Sequence, residues 1–214
     1  MSFHQCPCCE MSRLHCPYDV VLASSSPRRR DILSQLFPNL KIIPSDFDED
    51  SVTIENPIDL VLELSRKKAF TVATKPETCN SILIATDTVV VLDNVVLGKP
   101  SSPEMASQML NSLSGRSHEV ISGITLAYHQ PDGTLQHQSF TATSKVFFKK
   151  LNQEQIDQYV DTGCPFDKAG GYGIQTELGS KLVDSFDGCF LNIVGFPVGT
   201  FRKRFLQFVG EVCA

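Results

Sequence analysis

A single acidic residue, Asp87, lies inside the apolar, β-branched stretch of residues 82–92. Strands are depleted in Asp, and a buried carboxylate is unfavourable unless a cation or a metal ion compensates its charge. Lys99 follows a second apolar run at residues 95–97. A carboxylate beside an ammonium group can activate water and stabilise developing negative charge. The alternative interpretation is that Asp87 merely ends one strand and caps a turn.

A predicted β-hairpin brings these two charged residues to the same end of the strands. Asp93-Asn94 separates the two apolar runs as a two-residue loop does, and such a loop determines the register. The same count places Thr88 opposite Lys99. A strict pleat would put Asp87 and Lys99 on opposite faces, so the strand must end or twist there if both are to reach one ligand. The predicted pairs are Leu92 with Val95, Val91 with Val96 and Val90 with Leu97.

A second group of polar residues, Ser-Ser-Ser-Pro-Arg-Arg-Arg at positions 24–30, follows a predicted buried strand. Ser26 is a favourable N-cap and Pro27 suits the first helical position, so a helix is predicted to begin there. Its unsatisfied N–H groups, with hydroxyls such as that of Ser24 and guanidinium groups such as that of Arg28, would bind a polyphosphate. The alternative is a solvated basic turn without a ligand.

Lys68 is the unusual residue of a long helix predicted from Pro57 to Thr74. At about 100° per residue it falls on or beside the apolar stripe, where a Lys more commonly extends its ammonium group to solvent. The acidic turn at residues 46–50 precedes this helix and contains Glu49. Alone, such a turn is more often solvated than a metal site.

Length and composition indicate an ordinary globular protein. The chain has 214 residues, of which 42% are hydrophobic and 20% charged, and one domain or two closely joined lobes are expected. Strands and helices alternate early and a β-meander follows. This order predicts an α/β fold with an elongated mixed sheet, helices on both faces and a cleft between two lobes.

Charge and hydropathy limit the expected partners. No apolar run approaches the roughly 20 residues that span a bilayer, and no signal-peptide segment is apparent, so we expect a cytoplasmic protein without a membrane partner. The net charge of −5 argues against stable binding of nucleic acid. A homodimer is left open.

Residues 1–18 are predicted to form an N-terminal, cysteine-rich extension, and residues 19–214 the folded domain. The extension has no hydrophobic period, so disorder is expected. Cys6 and Cys9 have the spacing of only one half of a zinc knuckle, which makes a zinc site the less favoured alternative. Without a secretion signal, the thiols are expected to be reduced.

Taken together, these motifs resemble those of the Maf family, the septum-formation-related nucleotide pyrophosphatases. The resemblance covers residues 20–208 and implies a fold similar to that of the inosine triphosphate pyrophosphatases. The matching blocks lie at residues 23–29, 48–49, 64–69, 85–90 with 98–100, 113–120, 167–175 and 192–197.

The resemblance also implies an activity and assigns roles to residues. A nucleoside triphosphate would be split into the monophosphate and pyrophosphate with a divalent cation, Mg²⁺ or Mn²⁺. Asp87 would be the catalytic proton acceptor, and Asp87 and Glu49 are carboxylates suited to the metal ion. Phosphates would be bound by Ser24, Arg28, Lys68 and Lys99. The subgroup that acts on dTTP and UTP is marked by the pattern that Arg28, Thr88 and Gln175 match.

Two further expectations concern recognition of the nucleotide base and functions other than pyrophosphatase activity. Gln175 follows several glycines, and its amide offers both a donor and an acceptor to a uracil or thymine edge. A P-loop NTPase is disfavoured because the motif G-x-x-x-x-G-K-[ST] does not occur. The alternative from another class is a non-catalytic nucleotide-binding or nucleic-acid-binding regulator of cell division, which would need affinity but no water-activating acid.

Overall fold

A mixed seven-stranded sheet forms the centre of the computed structural model, which describes residues 9–130 and 132–213. The strands are β1 (Asp19–Leu22), β2 (Lys41–Ile42), β3 (Ser81–Leu92), β4 (Val95–Leu97), β5 (Ser117–His129), β6 (Leu135–Phe148) and β7 (Val183–Asp187). Their order is β2-β1-β3-β5-β6-β7, and β4 pairs with β3 outside this path. β1 is parallel to β2 and β3, and the remaining pairs are antiparallel.

Helices cover both faces of this sheet. They are α1 (Pro27–Leu36), α2 (Pro57–Ala73), α3 (Pro103–Leu113), α4 (Gln153–Val160), α5 (Glu177–Leu182), α6 (Phe190–Val194) and α7 (Val198–Val212). On β1, Val20 and Leu22 join the apolar cluster that contains residues of α1 and α7, whereas Val21 joins the cluster that contains residues of α2. This alternation confirms the predicted α/β class.

The starts of α1 and α2 agree with the predictions. Pro27 opens α1, and Pro57 opens α2 after Asn56, whose side chain accepts hydrogen bonds from the N–H groups of Ile58 and Asp59. The Asn56 cap satisfies N–H groups that the first helical turn leaves without partners, whereas the side chain of Ser26, the N-cap of α1, makes no capping hydrogen bond. Among the described residues, no helix has both the length and the apolar character that crossing a bilayer requires.

The predicted hairpin register is confirmed by the ladder between β3 and β4. Asp93 and Asn94 have φ of 51° and 63°, as the two central residues of a type I′ turn require. The pairing of Thr88 with Lys99 is wrong, because the ladder ends at Val90 and Leu97 and Thr88 pairs with Ser122 of β5 on the other edge. Pro100 lacks an N–H group, so the chain cannot extend this ladder further there.

Gly123 allows α2 to approach the sheet closely. A Cβ atom at this position would lie 2.2 Å from the carbonyl oxygen of Val61 on α2, so only glycine fits. Gly123 pairs directly with Asp87 across β3 and β5. Gly123 therefore lets α2 pack closely on the part of the sheet that carries Asp87.

Residues 9–18 pack on the domain, contrary to the expected disorder. The N–H of Leu14 donates to the carbonyl of Leu36 at 3.0 Å, and the Leu14 side chain lies in the core. Arg202 of α7 donates to the carbonyl and the hydroxyl of Ser12. Besides Leu14, four partly buried residues pack against the core without a periodic pattern, which is why the sequence did not indicate this packing; they are Cys9, Met11, Cys16 and Tyr18. The part of that prediction that concerns residues 1–8 lies outside the described residues.

Candidate active site

All the predicted site residues except Gln175 line one cavity of about 780 Å³. Its walls come from the loop after β1, the turn before α2, α2 itself, β3, the segment after β4, and the loops near residues 167 and 195. Most of the residues singled out in the sequence line it: Ser24, Arg28, Glu49, Lys68, Asp87, Thr88 and Lys99. Gln175 lies outside this lining.

Lys68 joins the two predicted metal-binding carboxylates. Its Nζ lies 2.6 Å from Oδ1 of Asp87 and 2.9 Å from Oε1 of Glu49. The side chains of Lys68 and Asp87 are only 8% and 11% exposed, whereas that of Glu49 is 55% exposed. Lys68 therefore does not extend to solvent, because its ammonium group compensates the charge of the buried acid.

Arg29 is a site residue that the sequence reasoning missed. Its guanidinium group donates to the carbonyl of Gly195 at 3.2 Å, to Oγ1 of Thr88 at 3.1 Å and to Oγ of Ser24 at 3.4 Å. Burial lowers the pKa of Arg29, an effect opposed by the nearby carboxylate of Asp87. An arginine side chain keeps its charge in proteins, so a positive group is fixed in the cavity wall. The only sequence signal was the run of arginines, which does not say which one turns inward.

Arg28 is held at the cavity by Asp167. Its guanidinium group donates to the carboxylate and to the backbone carbonyl of Asp167, and Lys168 donates to the same carboxylate. Partial burial raises the pKa of Asp167, but the hydrogen bonds from Lys168 and Arg28 outweigh this effect and leave the pKa below its ordinary value. An incoming phosphate would compete with this exposed carboxylate for Arg28. The sequence offered Asp167 only as part of a matching block.

Thr88 and Lys99 contribute in different ways. The hydroxyl of Thr88 lies 2.8 Å from Oγ of Ser122 and receives a hydrogen bond from Arg29, so it is fixed inside the cavity wall. Lys99 is exposed and lines the cavity from the segment that follows β4. Lys99 is therefore placed to contact a ligand at the cavity mouth.

Gln175 is not among the residues that line the cavity. The glycine-rich segment is tied down elsewhere: the N–H of Gly173 donates to the hydroxyl of Tyr159, and Thr176 caps α5 through the N–H of Gly179. Oε1 of Gln175 would lie 3.1 Å from a Cβ atom on Gly173, so the amide folds back against its own segment. The spacing of glycines could not indicate this direction.

The carboxylates fit a hard divalent cation. Within the described residues, no group of three or more His, Cys, Asp and Glu side chains meets as a protein-only metal site. Mg²⁺ is usually bound by one or two carboxylates together with substrate phosphates and water. Asp87 and Glu49 already converge on one positive charge, the ammonium group of Lys68. These two residues could therefore hold such an ion once phosphate groups complete its ligands.

Comparison with known proteins gives a consistent set of relatives. Residues 19–208 match the family model described as Maf-like protein. The chain is similar to the dTTP/UTP pyrophosphatase of Clostridium tetani, with 45% identity over 83% of this chain and 91% of the relative. It is also similar to the dTTP/UTP pyrophosphatase of Carboxydothermus hydrogenoformans, with 44% identity over 86% of this chain and 96% of the relative. Among solved structures, the Ham1 protein of Staphylococcus aureus is similar with a TM-score of 0.44 and 18% identity, over 77% of this chain and 80% of that chain.

Proposed function

The chain belongs to the Maf-like protein family, and from this premise we propose that it hydrolyses dTTP and UTP to the monophosphate and pyrophosphate. The observation that carries the proposal is the buried acid Asp87, bound by Lys68 at 2.6 Å, on the wall of a cavity that Arg28, Arg29 and Lys99 also line. The lining also contains the carboxylates of Glu49, Asp50 and Asp167, so the four cations, Lys68 included, would bind the polyphosphate while a divalent ion offsets carboxylate charge, and Asp87 would provide a base for water.

The cations would bind the triphosphate and stabilise the leaving group. Catalysis of phosphoryl transfer is mainly positioning and electrostatic stabilisation. Arg28, Arg29 and Lys99 would hold the β- and γ-phosphates, with Arg28 exchanging the carboxylate of Asp167 for a phosphate oxygen. Negative charge that develops on the departing pyrophosphate would then meet charged donors already in place.

Asp87 would direct and deprotonate the attacking water. Lys68 binds Oδ1 of Asp87, and the other carboxylate oxygen would accept the proton. The water oxygen forms a bond to the α-phosphorus while the bond from the α-phosphorus to the bridging oxygen breaks, which releases pyrophosphate. Lys68 would keep the carboxylate oriented during this step.

A divalent cation, Mg²⁺ or Mn²⁺, belongs to the proposal. Glu49 and Asp87 would hold it, because hard ions of this kind prefer carboxylate oxygens. When bound, such an ion supplies neutralisation of phosphate charge and lowers the pKa of a bound water. The exposed side chain of Glu49 can turn from Lys68 toward the ion, whereas Asp87 is fixed on its strand.

The preference for uracil and thymine nucleotides is supported by the names of the relatives and by two of the three marker residues. Arg28 and Thr88 line the cavity, so both can influence which substrate is accepted. Gln175 supports the preference least, because its amide would have to turn away from Gly173 to reach a base. A site that binds the base through hydrogen bonds rejects analogues that leave its polar groups unpaired.

The test is a measurement of products and rates with dTTP, UTP, CTP, GTP and 7-methyl-GTP. We expect pyrophosphate as product, the highest kcat/KM with dTTP and UTP, and a loss of about 10²-fold or more in kcat for Asp87→Asn. Asp93→Asn is the matched control, because Asp93 lies in the hairpin turn of the same strand, and Asn tolerates its positive φ. Orthophosphate as product would refute cleavage between the α- and β-phosphates. Normal turnover by Asp87→Asn would refute the role of Asp87 as the base.

A cytoplasmic location is a further proposal. The lack of a nucleic-acid partner is another, supported by the net charge of −5. The rival function as a non-catalytic regulator gains no support from the cavity. A binding site needs affinity only, whereas the buried carboxylate of Asp87 would repel a phosphate ligand and so weaken binding. Binding of dTTP without hydrolysis at any concentration of Mg²⁺ or Mn²⁺ would favour the regulator.

A further inference from the structure

Two thiols outside the nucleotide cavity lie in contact. Cys9, on the N-terminal segment, has its Sγ 3.6 Å from Sγ of Cys189, which precedes α6, and both residues are partly buried. A disulfide has a sulfur separation of about 2.05 Å, so the two sulfurs need to approach by roughly 1.5 Å. We infer that Cys9 and Cys189 form a reversible disulfide that fastens the N-terminal segment to the domain.

Both ends of this bond are already positioned. The N–H of Cys189 donates to Oγ of Ser144 at 3.0 Å, and the Ser144 hydroxyl donates to the carbonyl of Cys189 at 3.1 Å. Ser144 is buried on β6, so the backbone of Cys189 is fixed to the sheet. On the other side, Leu14 and Ser12 hold the segment that carries Cys9. Closure therefore needs a local adjustment of Cys9 and no refolding.

The chemistry is thiol–disulfide exchange with a small-molecule disulfide of the glutathione type. The thiolate of one cysteine attacks a sulfur of the small disulfide, whose S–S bond breaks and releases one small thiol. The second protein thiolate attacks the protein sulfur of the mixed disulfide and releases the second small thiol. Two protein thiols are oxidised with loss of two protons, and one small disulfide is reduced to two thiols.

The main consequence is stabilisation. The two cysteines are 180 residues apart in the chain, and a cross-link that closes a long loop restricts the unfolded chain strongly. Turnover should change little, because the cavity wall near Cys189 is fixed independently of the thiol: Gly195 follows the last residue of α6, and its carbonyl already accepts from Arg29. The disulfide would act as a lock on the fold and not as a catalytic group.

The experiment oxidises the full chain with glutathione disulfide, alkylates the remaining thiols and maps cross-linked peptides by mass spectrometry without reduction. We expect a peptide pair joined through Cys9 and Cys189, a Tm higher by about 5 °C or more, and reversal of both by dithiothreitol. Cys9→Ala and Cys189→Ser should each abolish the cross-link and the rise in Tm. Cys79→Ser, which removes an exposed thiol elsewhere, should retain both.

Several results would overturn the inference. One is full alkylation of Cys9 and Cys189 after oxidation, and another is mixed disulfides with glutathione as the final product at these positions. A bond from Cys189 to Cys6 or Cys8 would also contradict the assignment of Cys9. An equal rise in Tm in the Cys189→Ser variant would show that the stabilisation comes from other thiols.

Discussion

Replacing Lys68 with Met tests whether the ion pair at the base of the cavity is needed for folding as well as for chemistry. Met keeps most of the aliphatic length of Lys and is tolerant of irregular packing, so the change removes mainly the charge. Lys68 is 8% exposed and its partner Asp87 11% exposed. In the variant the Asp87 carboxylate would stay buried without its cation.

The expected loss follows from the exposure of each partner. Removing one member of a buried ion pair destabilises a protein by about 3 to 5 kcal/mol, because the remaining charge is left uncompensated. The contact of Lys68 with Glu49, whose side chain is 55% exposed, adds at most about 1 kcal/mol. Most of the loss is therefore assigned to Asp87. Neutralising the acid as well, in Lys68→Met/Asp87→Asn, should recover about 1 kcal/mol or more relative to Lys68→Met.

Urea unfolding of the wild type, both single variants and the double variant measures these differences, provided the m-value stays constant. Arg66→Met is the matched control: Arg66 lies on the same helix, pairs with Glu63 and is 44% exposed. Its loss should be about 1 kcal/mol or less. The reasoning would be refuted if Lys68→Met lost no more stability than Arg66→Met, or if the double variant recovered nothing.

Three further predictions concern buried residues of the fold. Gly123→Ala should lower the free energy of unfolding by about 3 kcal/mol or more and reduce kcat/KM, because α2 must move, whereas Gly98→Ala, with open space around it, should be nearly neutral in unfolding experiments. Burial lowers the pKa of His118 from 6.5 to about 4, so its contribution to the free energy of unfolding should be fully present above pH 6.5. The free energy of unfolding should fall by about 3 kcal/mol as the pH decreases to 4. Urea unfolding of His118→Phe should lack this decrease. Leu14→Ala should cost about 2 to 3 kcal/mol, measured by thermal and urea unfolding, and an unchanged midpoint would show that residues 9–18 are dispensable.

Local rules made the hairpin and the helix starts predictable. Asp93 and Asn94 accept positive φ, and a two-residue turn leaves only one register, so the pairing could be counted from the turn outward. Proline at the first position of α1 and α2 gave their starts in the same way. The polar residues of the cavity were identified because charged groups in apolar surroundings need partners, and Asp87 and Lys68 proved to be partners of each other.

Tertiary contacts decided the features that the sequence did not indicate. Arg28 and Arg29 are chemically the same, and acceptors from distant parts of the chain, the Gly195 carbonyl and the Thr88 hydroxyl, hold Arg29 in the inner wall. Gln175 was predicted from its type and its glycine neighbours, but its Oε1 lies beside Gly173, whose N–H donates to the hydroxyl of Tyr159. The packing of Leu14 depends on α1, which lies beyond any local pattern.

The register of three strands explains why Asp87, the loop that begins at Ser24 and α2 meet. β1 is parallel to β3 with Leu22 opposite Ile84, and the N–H of Ala23 donates to the carbonyl of Ile84, so the loop that begins at Ser24 leaves β1 beside the approach to Asp87. On the other edge of β3, Asp87 pairs with Gly123, the residue that lets α2 approach. The backbone ladder thus brings two separate chain segments to the same acid. A shift of one residue in the pairing of a strand would turn each of its side chains to the opposite face. The strand register therefore determines which charged side chains face the cavity.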